Sequence, residues 1–557
     1  MTPRPAPGDW WRYGVLYQVY PRSFQDSNGD GVGDLAGITS RLDHLNDGTP
    51  DSLGIDGIWL SPFYPSPMAD FGYDVADYCD VDPRFGTLAD FDELLGQAHE
   101  RGIRVIVDLV PNHTSGQHPW FLESRASRDN PRRDWYVWAD PAADGAPPND
   151  WRSAFPAVGR AWTLDRRTGQ YYLHSFTPEQ PDLNWWNPGV RRAFEEILRF
   201  WLDRGVDGFR IDVAHRTVKP RELHGHVPVE NIPGVLDLMP PADEPELHAL
   251  LRSWRALLDE YDDRMAVGEV FLFDPARLVS FYGSGNDELH LAFNFSFLRA
   301  PWSAEAFRRV VATFERLLPE GAWPDYTLSN HDNSRAVSRY APDGDLVRGR
   351  KRARMAALML LTLRGTPFLY YGEEIGMADG PIPPERVVDV GGRDPERTPM
   401  QWDASRNCGF STADPWLPVS PDASSVNVEA QRADPGSMLS LYRRLIWVRR
   451  SRAALQRGTY RELPGMPADC FAYVREAGSE RALVCLNFGS KPIRIPEEEL
   501  TRAGLGDERR VISTGAGREG PARGEIELEP DEGVLVEPST RPERLAPEPL
   551  AEGRARG

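Results

Sequence analysis

Short, almost wholly apolar runs recur along the chain, and longer stretches with an apolar position every three or four residues lie between them. The runs cover residues 15–19, 55–60, 104–109, 208–212, 265–269, 291–294, 326–329 and 367–371. A strand buried on both faces reads as such a continuous run, whereas an amphipathic helix shows the longer period. Strand alternating with helix predicts a parallel sheet, and eight repeats predict a closed (β/α)₈ TIM barrel, an α/β fold whose chemistry sits at the C-terminal ends of the strands.

The spacing of the runs is uneven, which predicts added parts. Residues 113–183, rich in Trp, Pro, Asp and Arg, are too long for a plain loop and predict an insertion subdomain after the third strand. Two further irregular stretches lie at about 216–245 and 377–430. From 455 the pattern changes to short strand-like runs separated by turn signals, which predicts a small antiparallel β domain. The expected organisation is a barrel over 1–112 and 184–454, the insertion at 113–183, a β-sandwich-like domain over 455–540 and a disordered tail at 541–557.

Composition narrows the function classes. With 84 acidic and 64 basic residues, the net charge of −20 argues against nucleic acid or an anionic membrane as partner. The N-terminus carries no apolar signal core, and no run of about 18 apolar residues occurs, so no membrane span is expected. Four cysteines without metal-type spacing (Cys79, Cys408, Cys470, Cys485) predict free thiols and a cytoplasmic location. The 17 tryptophans serve large cores, and some could stack on sugar rings. Oligomeric state is left open.

Three carboxylates stand where a barrel enzyme would place its acids. Asp212 ends a run in Gly-Phe-Arg-Ile-Asp, Glu269 ends one in Val-Gly-Glu, and Asp332 follows one in Ser-Asn-His-Asp. Together with Asp108-Leu109-Val110-Pro111-Asn112-His113, these segments resemble the four signature regions of the α-amylase superfamily, in matching order. Gln180-Pro181-Asp182-Leu183-Asn184 and residues 391–402 resemble further signatures of its oligo-1,6-glucosidase and α-glucosidase branch.

The resemblance implies a retaining glycoside hydrolase acting on small oligosaccharides, without an organic cofactor. Two acids suffice for retaining cleavage, with their carboxyls about 5–5.5 Å apart, and a third can steady the charge that develops. Asp212 would be the nucleophile, kept ionised by Arg210; Glu269, flanked by apolar Val267 and Val270, would be the general acid and base; Asp332 would bind sugar hydroxyls. The resemblance further assigns Asp70, Tyr73, His113, Phe155, Phe176, Gln180, Arg210, His331 and Arg393 to the pocket for the terminal glucose. Asp108 would support the site, and Arg397 would be a structural or outer residue.

The segment from Asp26 to Asp34 places oxygen ligands at alternate positions, resembling a calcium loop. Asp26, Asn28, Asp30, the Val32 carbonyl and Asp34 would hold a structural Ca²⁺. Val213, after the nucleophile, accompanies α-1,6 preference in the resembling branch. Phe271 departs from that branch and would make an apolar outer subsite, so both linkages stay open. The expected activity is exo-acting hydrolysis of terminal α-1,4- or α-1,6-linked glucose. The alternatives are a transglycosylase or isomerase sharing the covalent intermediate and, more remotely, a non-catalytic sugar-binding or transporter-associated subunit.

Overall fold

The computed structural model describes residue 8 and residues 10–223, 245–505, 509–515 and 520–538. Most of the irregular stretch expected at 216–245 and all of the tail at 541–557 lie outside the described residues.

The eight runs form one parallel sheet: β1 (Leu16–Val19), β2 (Gly57–Leu60), β3 (Arg104–Leu109), β4 (Gly208–Ile211), β5 (Met265–Gly268), β6 (Leu291–Ala292), β7 (Asp325–Thr327) and β8 (Thr366–Tyr370). They pair in the order β7-β8-β1-β2-β3-β4-β5-β6. The expected closure is therefore incomplete, because no ladder joins β6 to β7 among the described residues. Just after β6, the Asn294 side chain accepts the Phe297 amide and caps a short helix over Phe295–Leu298, which cuts the strand to two residues.

Both faces of the sheet are apolar for different reasons. Leu16, Trp59, Ile106, Val267, Leu291 and Phe368 pack together in one cluster inside the ring. Their sequence neighbours Tyr17, Ile58, Val105, Ala266 and Leu369 join the larger core under the helices. A period of two along each strand thus feeds two separate cores. The principal helices are α1 (Leu88–Glu100), α2 (Pro188–Asp203), α3 (Pro245–Leu258), α4 (Ala304–Leu317), α5 (Leu346–Thr362) and α6 (Met438–Arg450). In α2, Asn187 caps the N-terminus, Pro188 fills the first position, and Val190, Phe194, Ile197, Trp201 and Leu202 form the buried stripe. Removing a buried tryptophan such as Trp201 would cost about 3–5 kcal/mol.

The insertion carries a three-stranded sheet built from Trp138–Ala139, Gln170–Leu173 and Trp162–Asp165. The His113–Asp182 bridge closes its base. After α6, a six-stranded antiparallel sheet packs against the barrel, with a two-stranded sheet of Ile493–Ile495 and Ile526–Leu528 beside it. Here the period of two divides the strand Cys470–Ala477: Phe471 and Tyr473 enter the barrel core, while Cys470, Ala472 and Val474 fill the sheet's own core. Tyr473 Oη lies 2.7 Å from Thr362 Oγ1, and Arg475 donates to the Thr362 carbonyl at 2.6 Å, tying this sheet to the end of α5.

Candidate active site

Strand register brings two of the acids together. Ile211 of β4 lies opposite Gly268 of β5, so Asp212 and Glu269, each one residue beyond its ladder, emerge side by side. The sequence places them at strand ends; the ladders stop just before them. The Glu269 amide donates to Ile211 O at 2.8 Å, and the Ala214 amide donates to Glu269 O at 2.9 Å, which locks the two chain exits to each other. Gly268 packs closely, since a Cβ there would lie 2.4 Å from Leu289 Cδ1 and the leucine side chain would have to move. Val213 adopts the left-handed region (φ 42°, ψ 42°), a costly conformation for a β-branched residue at roughly 1–3 kcal/mol. That strained turn aims the Val213 amide at the Glu269 carboxylate, 3.0 Å away.

A single buried guanidinium holds the acids. Arg210 Nη1 donates to Asp212 Oδ1 at 2.6 Å and to Asp108 Oδ1 at 2.8 Å, and Nη2 lies 2.8 Å from Glu269 Oε2. Two carboxylates on one planar fork are close neighbours by construction. Asp108 also accepts from Trp59 Nε1 at 3.0 Å and Tyr73 Oη at 3.1 Å, the supporting position the sequence suggests. Burial pushes the Asp108 carboxyl up to about 6 against the pull of Arg210. Burial also raises Asp212 well above the usual carboxylate range, with Arg210 opposing and Glu269 and Asp108 adding to the rise. The cation expected to keep Asp212 ionised is in place, but it serves three acids at once.

Asp332, five residues beyond β7, has a different setting. Its Oδ1 accepts from Arg393 Nη1 and Arg397 Nη2, both at 2.9 Å, and its Oδ2 lies 3.1 Å from His331 Nε2. Burial would raise this carboxyl, but His331, Arg393, Arg397 and Arg210 outweigh burial and hold it below the usual range. Arg397 is fully buried and also donates to the His331 carbonyl at 2.7 Å, so it braces Asp332 from behind. Arg393 Nη2 reaches Asp70 at 2.5 Å and Asp389 at 2.7 Å, which closes one end of the pocket with an ionic wall.

The resulting cavity has a volume of about 410 Å³. Asp212, Glu269, Asp332, Asp70, Tyr73, His113, Phe155, Phe176 and Arg393 line it, the two phenylalanines coming from the insertion. Gln180, Arg210 and His331 stand behind the wall. Gln180 Nε2 donates to Asp70 at 2.9 Å and lies 3.0 Å from His113 Nε2. His331 stacks on Tyr73 at 5.2 Å and sits 2.7 Å from Gln18 Nε2 through its Nδ1. Burial lowers His113 to about 4 and His331 well below the usual imidazole value, so both rings are neutral at pH 7. Val213 and Phe271 line the mouth, where the Arg299 guanidinium lies 4.8 Å from the Phe271 ring centroid. Sequence reasoning missed Asp389, Arg299 and Asn333. Asp389 stands four residues before Arg393, a spacing that could have signalled the pair; the other two carry no local pattern.

The loop from Asp26 to Asp34 offers the oxygen donors that a hard cation takes. Its carboxylates, however, turn toward amides: Asp26 accepts from Asn28, Gly29 and Gly31, and Asp34 accepts from Ser27 and Gly37. Among the described residues no group of three or more His, Cys, Asp or Glu side chains gathers around a metal-sized space. All four cysteines are free thiols. No described helix is long and apolar enough to cross a membrane.

Residues 18–458 match the family model described as alpha amylase, catalytic domain. An oligo-1,6-glucosidase of Parageobacillus thermoglucosidasius is 40% identical over 529 residues, covering 88% of this chain and 92% of that protein. A protein of Rhizobium meliloti (strain 1021) named "Probable alpha-glucosidase" is 43% identical over 509 residues, covering 87% and 90%. Among solved structures, the alpha-glucosyl transfer enzyme XgtA superposes with a TM-score of 0.85 at 37% identity, covering 96% of this chain and 100% of its own. The isomaltulose synthase SmuA from Protaminobacter rubrum superposes with a TM-score of 0.83 at 34% identity, covering 95% and 99%.

Proposed function

The chain belongs to the alpha-amylase family, and on that premise we propose that it is a retaining, exo-acting α-glucosidase hydrolysing terminal α-1,4- or α-1,6-linked glucose from short oligosaccharides. The observation that carries this reading is the pair of carboxyls Asp212 and Glu269 on the Arg210 fork, facing a pocket whose far end is walled by Asp70 and Arg393. A walled end admits a chain terminus and suits short substrates.

In this mechanism Glu269 gives its proton to the glycosidic oxygen as the C1–O bond breaks. Asp212 attacks C1 and forms a glycosyl ester. Glu269, now a carboxylate, takes a proton from water as the water oxygen attacks C1; the ester bond from C1 to Asp212 breaks, Asp212 leaves as a carboxylate, and glucose is released with its configuration retained. One guanidinium facing three carboxyls leaves room for a proton on the cluster, which the first step consumes. Asp332, held ionised, would bind sugar hydroxyls and oppose the positive charge that develops on the ring.

Transfer to a sugar hydroxyl instead of water is the second reading, favoured by the likeness to a glucosyl transfer enzyme and an isomaltulose synthase. A panel of maltose, isomaltose, sucrose, trehalose and kojibiose with products identified separates the two. Glucose as the main product of maltose or isomaltose supports hydrolysis; a dominant isomeric disaccharide overturns it.

Two further parts of the proposal rest on sequence. Free thiols suit the reducing cytoplasm. Asp26, Asn28, Asp30, the Val32 carbonyl and Asp34 would hold a structural calcium ion that contributes rigidity and takes no part in the reaction.

A further inference from the structure

A second cavity of about 540 Å³ lies on the outer flank of the barrel, between α6 and the segment that enters β2. Four arginines line it (Arg432, Arg443, Arg444 and Arg452), with Trp447 and a single acid, Asp51. Such a concentration of positive charge stands out on a chain of net charge −20. None of these residues lines the pocket that holds Asp212.

Arg449 and Arg450 of α6, and Arg452 just beyond it, each bond a partner, although Arg449 Nε is buried without one among the described residues. Arg449 donates to the carbonyls of Leu361, Leu363 and Gly365, Arg450 pairs with Asp56 at 2.9 Å, and Arg452 pairs with Glu537 at 2.7 Å. Arg443 differs. Its residue is only 8% exposed, and its Nε and Nη2 are buried with no hydrogen-bond partner among the described residues. A buried donor left without an acceptor is destabilising, and more so when it carries charge. Asp51, Asp47 and Glu374 are the acids that face it, but none bonds it, and Glu374 Oε1 is already engaged by Tyr17 and His44. Burial and the nearby Arg432 both disfavour the Arg443 cation. An incoming anion would relieve the repulsion and satisfy the open donors together.

We propose that this pocket binds a phosphate group, free or carried by a monosaccharide. A tetrahedral oxyanion offers enough acceptors for several guanidinium donors at once. The half-buried Trp447, its indole nitrogen spent on Ser52 O at 3.1 Å and its ring 5.1 Å from the Arg450 guanidinium, lines the pocket beside the arginines.

The test is calorimetric titration of the full chain with inorganic phosphate and with glucose 6-phosphate at constant ionic strength, using wild type, Arg432→Gln and Arg443→Met. Saturable one-to-one binding, weakened roughly tenfold or more in each variant, is expected. Turnover of maltose or isomaltose should be unchanged in Arg432→Gln. Tighter binding of glucose 6-phosphate supports a sugar-borne phosphate, and equal binding supports the free ion. No saturable binding of either probe, or binding untouched by the substitutions, overturns the proposal. Should Arg443→Met fail to fold, exposed Arg432 decides alone.

Discussion

Arg210 is the pivot at the residue scale, because one cation faces Asp108, Asp212 and Glu269 at 2.6–2.8 Å. Removing the proposed nucleophile in Asp212→Ala should lower kcat by at least about 10⁴-fold with the fold intact, while Glu269→Gln should lose about 10²–10⁴-fold. Near-normal steady-state turnover of Asp212→Ala would refute the assignment. The same burial has a consequence for pH. A nucleophile must be ionised, and Asp212 is raised while Asp108 reaches about 6, so activity should climb only as pH passes above the ordinary carboxylate value of about 4. A kcat/KM profile whose acid limb sits at or below pH 4 would contradict this. Val213→Thr should move the ratio of isomaltose to maltose hydrolysis only modestly, within about 200-fold, because a single methyl-for-hydroxyl exchange is involved.

At the scale of elements, register does the positioning. The acids ride on β4 and β5, and the pairing of Ile211 with Gly268 sets their mutual height. A slip by one residue would turn both inward-facing sets around. The Asp26–Asp34 loop directs its carboxylates to nearby amides and offers the oxygen donors proposed for calcium. If it holds calcium, metal analysis after gel filtration should find about one ion per chain. Excess EDTA should then lower Tm, and calcium at a hundredfold its Kd should restore about 2.7 kcal/mol. A Tm indifferent to both would remove the metal from the account.

For the whole molecule, buried titratable groups set the response to pH. His113, His118, His215, His290 and His331 are pushed below their usual value by burial, so the unfolded chain binds more protons below about pH 6.5 and these residues add stability as pH rises to that point. Burial raises Glu373 to about 7 and Glu396 to about 8, so there the folded chain binds more protons and stability falls as pH climbs through those values. Above about pH 6.5 the histidines no longer contribute, and Tm should decline toward pH 8.5. Glu396→Gln should flatten that decline; a Tm rising across this window in scanning fluorimetry would contradict the assignment.

Local pattern in the sequence was sufficient to expect the eight strands, the insertion and the terminal β sheet, because apolar period and turn residues act over a few positions, and it placed the three candidate acids at or just beyond strand ends. It also drew together Asp70, Tyr73, His113 and Arg393, whose contexts carry a family likeness. Tertiary structure alone decided the rest. The two-residue β6 follows from a capping Asn294, the shared Arg210 follows from register, and the recruitment of Asp389 follows from the turn that carries Arg393. The Arg443 pocket joins α6 to a loop nearly four hundred residues away in sequence. Hydrogen bonds and burial across such separations exist only once the chain has closed on itself, so no local window contains them.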